Sequence, residues 1–190
     1  MAPDRDKSIY RSAAFRGQPG GEPIYVCLGS NLGDRESNLR RAAELMKSVG
    51  LEVTRMSSVF ETEPVGLKDQ PWYLNQVVQC AAPPSFRPHE LLSALLGVER
   101  EMGRERTTPG GPRVIDIDLL LWGDLVINPG SMTPDLTLPH PRMHLRRFVL
   151  EPMCELAAAA THPVLNRTCA ELLDQIADES VVRVFKKTVG

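Results

Sequence analysis

An α+β fold with an antiparallel-rich sheet is what this sequence predicts, and three observations carry it. Short apolar, β-prone runs and two amphipathic helical stripes follow one another in the order β-α-β-β-α-β. The run GPRVIDIDLLLWG, Gly111 to Gly123, alternates apolar and polar residues as a half-buried strand does. The chain has 190 residues, 42% hydrophobic and 24% charged, enough for one ordinary domain with a sizeable core.

Each element has its own signal. Ile24 to Leu28 (IYVCL) is apolar and β-prone and ends at Gly29, which makes a first strand. GSNLGD, Gly29 to Asp34, is a turn whose Asp34 caps a helix, with Leu39, Ala42, Ala43 and Met46 at helical spacing and Gly50 as its stop. Leu51 to Phe60 reads as a second strand. ETEPVGLKDQP, Glu61 to Pro71, is a polar loop, and Trp72 to Ala82 reads as a third strand. Pro88 opens a second helix whose stripe is Leu91, Leu95, Val98 and Met102. GRERTTPGGP then leads into the aspartate strand, in which Ile115, Ile117, Leu119 and Leu121 share one face and Asp116 and Asp118 share the other with Leu120. This is the ferredoxin-like, split β-α-β order, which puts both helices on one sheet face and leaves the other for a site or further elements. Extra C-terminal elements follow: a helix within Arg146 to Leu156, a capping box at Thr168 and Glu171, and an edge strand over Val181 to Phe185.

Composition narrows the class. The net charge of −2 offers no basic field for nucleic acid or a membrane surface. Cys27, Cys80, Cys154 and Cys169 are widely spread with no CxxC pair, so reduced cysteines in a cytoplasmic protein are expected rather than disulfides or zinc. Residues 1–22 lack the apolar core of a secretory signal and read as a disordered leader; 23–190 read as one domain. No apolar run approaches the roughly 20 residues of a membrane span.

The chemistry-bearing residues cluster. Asp116 and Asp118 repel each other on one strand face, and a hard divalent cation such as Mg²⁺ would resolve that. An alternating strand on a half-solvated sheet would look the same, so the pair alone leaves both readings open. Arg104 and Arg106 precede the strand and Arg113 stands at its mouth, a basic set suited to phosphate, as a solvated charged loop could also be. LPHPRMHLRRF, Leu138 to Phe148, adds His140, Arg142, His144, Arg146 and Arg147. Only 5% of the chain is aromatic, so QPWYLN, with Trp72, Tyr73 and Asn75, stands out: aromatics can stack on a flat heterocycle and an amide can read its edge. GSNLGD lacks the spacing and GK[ST] ending of a P-loop, so a nucleotide would bind by another route.

Taken jointly, GSNLGD, ETEPVG, QPWYLN, Glu99 through GRER, GPRVIDID, LPHPR and RRF resemble the hydroxymethyldihydropterin pyrophosphokinase family of folate biosynthesis, in order from about Ile24 to about Glu155. The resemblance implies a ferredoxin-like α+β fold and transfer of the β,γ-diphosphate of ATP to the hydroxymethyl group of a reduced pterin, releasing AMP. It implies that Asp116 and Asp118 hold two Mg²⁺ ions, with Arg104, Arg106 and Arg113 completing the catalytic set. Tyr73 and Phe148 would sandwich the pterin, and Asn75 with the chain from Thr62 to Val65 would read its edge. His140 and Arg146 would join Arg106 and Arg113 on the phosphates, and Glu99, Leu119 and Thr137 would contact the nucleoside. The partners expected are ATP and the reduced pterin, bound by a monomer without nucleic acid or membrane. Gly110, Leu145 and Leu96 stand where tryptophan, glutamate and glutamine are common in the family. Two rivals remain on the residues alone: two-metal nucleotidyl transfer or cyclisation, and a non-catalytic ligand-binding module.

Overall fold

The computed structural model describes residues 9–11, 21–104, 110–128 and 136–187. Ten strands and four helices are described, in the order β1 (Ile9–Arg11), β2 (Ile24–Ser30), α1 (Arg35–Ser48), β3 (Glu52–Met56), β4 (Val59–Thr62), β5 (Tyr73–Ala81), α2 (Pro88–Glu101), β6 (Asp116–Trp122), β7 (Leu125–Ile127), α3 (Arg147–Ala157), β8 (Thr161–His162), β9 (Arg167–Thr168), α4 (Cys169–Asp174) and β10 (Val182–Lys186). The main sheet runs β10-β4-β5-β2-β6 with β3 also on β5, and every pairing is antiparallel. That is the predicted ferredoxin-like arrangement with one more strand at its edge.

The local signals work as read. Asp34 Oδ1 accepts from Ser37 N at 3.0 Å and starts α1, whose Leu39, Ala42, Ala43 and Met46 are all buried. Pro88 opens α2, and Leu91, Leu95 and Val98 bury against the same sheet face as α1. Full burial of each such Leu or Met contributes roughly 1.5–3 kcal/mol. Thr168 and Glu171 form the capping box of α4, with Thr168 N donating at 2.8 Å and Glu171 N donating back at 3.2 Å. The second face, left open by the sequence, is covered by α3 and α4 over Tyr25, Cys27, Val77, Leu120 and Leu121. All seven residues of β2 are buried because it is covered on both faces.

Two expectations need correction. Leu51 to Phe60 is not one strand: β3 and β4 pair with different ends of β5, and Ser57 and Ser58 break the run between them. Ser57 Oγ accepts from Val77 N at 3.0 Å, while Ser58 N and Oγ both donate to Glu155 Oε1, so side chains take over the ladder there. In β6 the alternation stops after Leu119, because a register shift against β2 turns both Leu120 and Leu121 onto the α3 face. Within residues 1–22, Ile9–Arg11 forms β1, which pairs with β7 from Ile9↔Ile127 to Arg11↔Leu125. Ile9 and Tyr10 are β-prone, and the short β7 offers them an edge. Among the described residues no helix is long and apolar enough to cross a membrane.

Candidate active site

β6 is an edge strand of the main sheet, and its aspartates lie opposite β2 in the pairs Gly29↔Asp116 and Cys27↔Asp118. They point to the α3 face, beyond the start of that helix. Gly29 is required here: a Cβ on it would lie 2.7 Å from Asn75 Oδ1. The bare backbone lets Asn75 lie across β2 toward the aspartates.

Three segments bring cations to this strand. Just past the end of α2, Gly103, with a φ of +79°, turns the chain back so that Arg104 reaches Asp116 Oδ1 at 2.6 Å. Arg104 also pairs with Glu99, which is buried and accepts from Ile117 N at 2.7 Å. Arg113, entering the strand, reaches Asp116 Oδ2 at 2.7 Å. The segment 136–146 hangs on the outer edges of β6 and β7 through His140 N to Leu120 O and the paired Ile127 and Leu138. It brings Arg146 to 3.4 Å and His140 Nε2 to 3.8 Å from Asp118 Oδ2.

The two carboxylates are served unequally. Among the described residues, each oxygen of Asp116 has an arginine, whereas the ion-pair contacts of Asp118 are the longer ones to Arg146 and His140. Burial, with the charge of Asp116 behind it, pushes the Asp118 carboxyl up to about 6. Burial, then the charges of Arg146 and Arg142, pull His140 down to about 4, so it is neutral at pH 7. Its Nδ1 accepts from Arg142 N at 3.1 Å, which leaves the proton on the Nε2 facing the site.

The other end is aromatic and amide-lined. Asn75 Nδ2 donates to Thr62 Oγ1 at 2.7 Å, and both residues are buried. Tyr73 lies 5.8 Å from the Arg113 guanidinium, and Phe148, in the first turn of α3, lies 5.4 Å from that of Arg146.

One cavity of about 1210 Å³ connects these groups. Thr62, Val65, Tyr73, Asn75, Glu99, Arg104, Arg113, Asp116, Asp118, Leu119, Thr137, His140, Arg146 and Phe148 all line it. Arg106 lies outside the described residues. Leu92, Ser93, Leu96 and Arg100 of α2 line it too, and except for Leu96 no motif pointed to them. Sequence reasoning also gave no role to Asn31, which exchanges backbone and side-chain bonds with Arg113 and donates to Gln70 Oε1 and Pro71 O at 3.1 Å. Its signal was its place in the GSNLGD turn that follows the apolar run Ile24 to Leu28.

Two carboxylates on one strand face, one of them raised by burial and then by its neighbour's charge, are a hard oxygen donor set that fits Mg²⁺. Among the described residues no third His, Cys, Asp or Glu completes a cage, so a cation there would draw further ligands from phosphate and water.

Comparison with known proteins shows the family. A model of the family 7,8-dihydro-6-hydroxymethylpterin-pyrophosphokinase matches residues 25–158. The 2-amino-4-hydroxy-6-hydroxymethyldihydropteridine pyrophosphokinase of Bacillus subtilis is 40% identical over 167 residues, 87% of this chain and 92% of that protein. The folic acid synthesis protein fol1 of Pneumocystis carinii is 37% identical over 86% of this chain, which spans only 21% of that longer protein. A Plasmodium falciparum HPPK-DHPS crystal structure superposes with a TM-score of 0.64 at 16% identity, over 81% of this chain and 44% of that one, and shows the shared fold. By the family match and by its identity to relatives it covers almost in full, the chain belongs to the 7,8-dihydro-6-hydroxymethylpterin-pyrophosphokinase family.

Proposed function

We propose that this protein transfers the β,γ-diphosphate of ATP to the hydroxymethyl group of 6-hydroxymethyl-7,8-dihydropterin and releases AMP, a step of folate biosynthesis. The observation that carries the proposal is one continuous cavity. It joins a paired-carboxylate strand ringed by Arg104, Arg113 and Arg146 to an aromatic and amide end at Tyr73, Phe148, Asn75 and Thr62. Charge in the middle suits a triphosphate tail, and a flat polar heterocycle suits the aromatic end.

Diphosphate transfer asks a protein for alignment and charge neutralisation. The pterin hydroxyl oxygen forms a bond to the β-phosphorus, the α–β bridging bond breaks with its oxygen leaving on AMP, and the hydroxyl proton passes to solvent. Two Mg²⁺ ions at Asp116 and Asp118 would supply positive charge to the phosphate oxygens. Arg104, Arg106, Arg113 and Arg146 balance the remaining negative charge. His140, neutral, donates its Nε2 hydrogen to a phosphate oxygen rather than acting as an acid. Asn75 and Thr62 read the pterin edge, Val65 belongs to the loop that covers it, and Tyr73 and Phe148 hold its ring. Glu99, Leu119 and Thr137 face the nucleoside. Residues 23–190 act as one domain and as a monomer. The cytoplasm supplies both ATP and the reducing conditions that four unpaired cysteines need.

Product analysis tests the reading. With ATP, Mg²⁺ and hydroxymethyldihydropterin, AMP is expected to form only when the pterin is present. ADP would mean transfer of a single phosphoryl group. Absence of any nucleotide product, with tight binding of either ligand, would make the chain a binding module.

A further inference from the structure

We infer that Arg183, in the C-terminal strand β10, is a positioning residue for the reduced-pterin end of the cavity. The inference rests on the pterin reading proposed above. β10 lies outside the family match, which ends at residue 158. Yet it continues the sheet beside the strand that carries Thr62: Val182 pairs with Thr62, and Arg183 with Glu61. Thr62 in turn pairs with Tyr73, and two positions along the ladder Phe60 pairs with Asn75. The pterin-reading residues therefore sit on two short strand ends, and β10 is the outer support of one of them.

Arg183 gathers these ends from behind. Its Nε and Nη2 donate to Glu61 Oε2 at 3.1 and 2.6 Å, and its guanidinium lies 5.0 Å from the centre of the Trp72 ring. From α1, Arg35 Nη2 donates to Glu61 Oε1 at 3.0 Å and Arg35 Nη1 to Trp72 O at 2.8 Å. Glu61 and Trp72 immediately precede Thr62 and Tyr73, so one clasp fixes both lining residues through the backbone. The same strap reaches the root of the loop that carries Val65: Glu63 N donates to Val181 O at 3.0 Å, and Val181 N donates back to the Glu63 carboxylate. A bidentate fork stacked on an indole is a geometry that arginine provides and lysine does not. An isolated exposed ion pair contributes little. Here the acceptor is largely buried, with 14% of its side chain exposed, and two arginines share it.

Steady-state kinetics with each substrate varied in turn tests the inference on Arg183→Ala, Arg183→Lys, Trp72→Leu and Asn75→Ala. Arg183→Ala is expected to raise the pterin KM about five- to tenfold, the scale of losing one charge-assisted contact that acts indirectly. The ATP KM is expected to stay within about twofold, because the strap touches none of the phosphate arginines. Arg183→Lys and Trp72→Leu should fall between wild type and alanine. If Arg183→Ala does not fold, those two carry the same comparison. An unchanged pterin KM in the Arg183 and Trp72 variants, with Asn75→Ala raising it, overturns the positioning role alone. Equal rises in both KM values together with a lower Tm would make the clasp merely structural. If Asn75→Ala leaves the pterin KM unchanged, the pterin reading fails and this inference with it.

Discussion

Asp116 and Asp118 stand two positions apart on one strand face, and their surroundings treat them differently. Asp116 has Arg104 on one oxygen and Arg113 on the other. Asp118 is pushed up to about 6 by burial and by its neighbour, against the weaker pull of Arg146. Asp118 is thus a destabilising group in the protein alone, a trade of stability for function if it serves the proposed reaction. Asp118→Asn is expected to raise the Tm measured by calorimetry in EDTA, while lowering kcat by at least about 10²–10³. Asp116→Asn should lower kcat to a similar degree but also lower the Tm, because Arg104 and Arg113 would both lose the carboxylate that lies between them. A lower Tm for Asp118→Asn would mean that Arg146 and His140 satisfy it fully. The pair itself was legible from spacing. Its inequality was not, because Glu99, His140 and Arg146 reach it from other elements, and nothing local in DID distinguishes the first aspartate from the second.

At the level of elements, the sequence is most readable where a signal is local. The caps at Asp34 and Thr168, Pro88 at the start of α2 and the apolar stripes of α1 and α2 each act within a few residues, and each element forms where they predict. The break between β3 and β4 was invisible because its cause lies 97 positions away, in Glu155 of α3. The bulge at Leu120 is likewise set by β2 and the α3 layer. β10 was read as an edge strand, but its clasp on Glu61 depends on Arg35 from α1. That clasp has a pH signature. The bonds from Arg183, opposed by partial burial and reinforced by Arg35, hold the Glu61 carboxyl below its usual range. A carboxylate with a lowered folded-state value adds stability above its unfolded value and loses it as the pH falls through the folded one. The Tm gap between wild type and Glu61→Gln should therefore be largest near neutrality and close as the solution is acidified below the ordinary carboxylate range. A gap independent of pH would show that Glu61 acts by packing rather than by charge.

Across the whole molecule, the site exists because two helical layers of unequal extent cover one sheet. α1 and α2 pack on one face, whereas on the other α3 begins only at Arg147 and leaves the ends of β2, β5 and β6 open. The cavity is filled out by side chains whose charges are set for a polyanion: arginines from α2's end, the β6 entry and the α3 entry converge on two aspartates. On the proposed reading such a site would bind cation and triphosphate as a unit, since two carboxylates leave most metal positions to phosphate and water. Ligand that binds only the folded state stabilises it by mass action, about 2.7 kcal/mol at a hundredfold excess over Kd. For a chain of this length that corresponds to a Tm rise of roughly 5–10 °C. Saturating MgATP is therefore expected to raise the Tm by that amount. Mg²⁺ alone is expected to shift it by no more than about a degree, because without phosphate the aspartates engage arginines and hold the cation weakly. ATP with EDTA should fall between, since the arginines still meet the phosphates while the aspartates repel them. Scanning calorimetry of the three samples separates the cases. A full shift with Mg²⁺ alone would mean that the protein itself completes the coordination shell. Equal shifts with ATP and MgATP would mean that Asp116 and Asp118 hold no metal in the nucleotide complex.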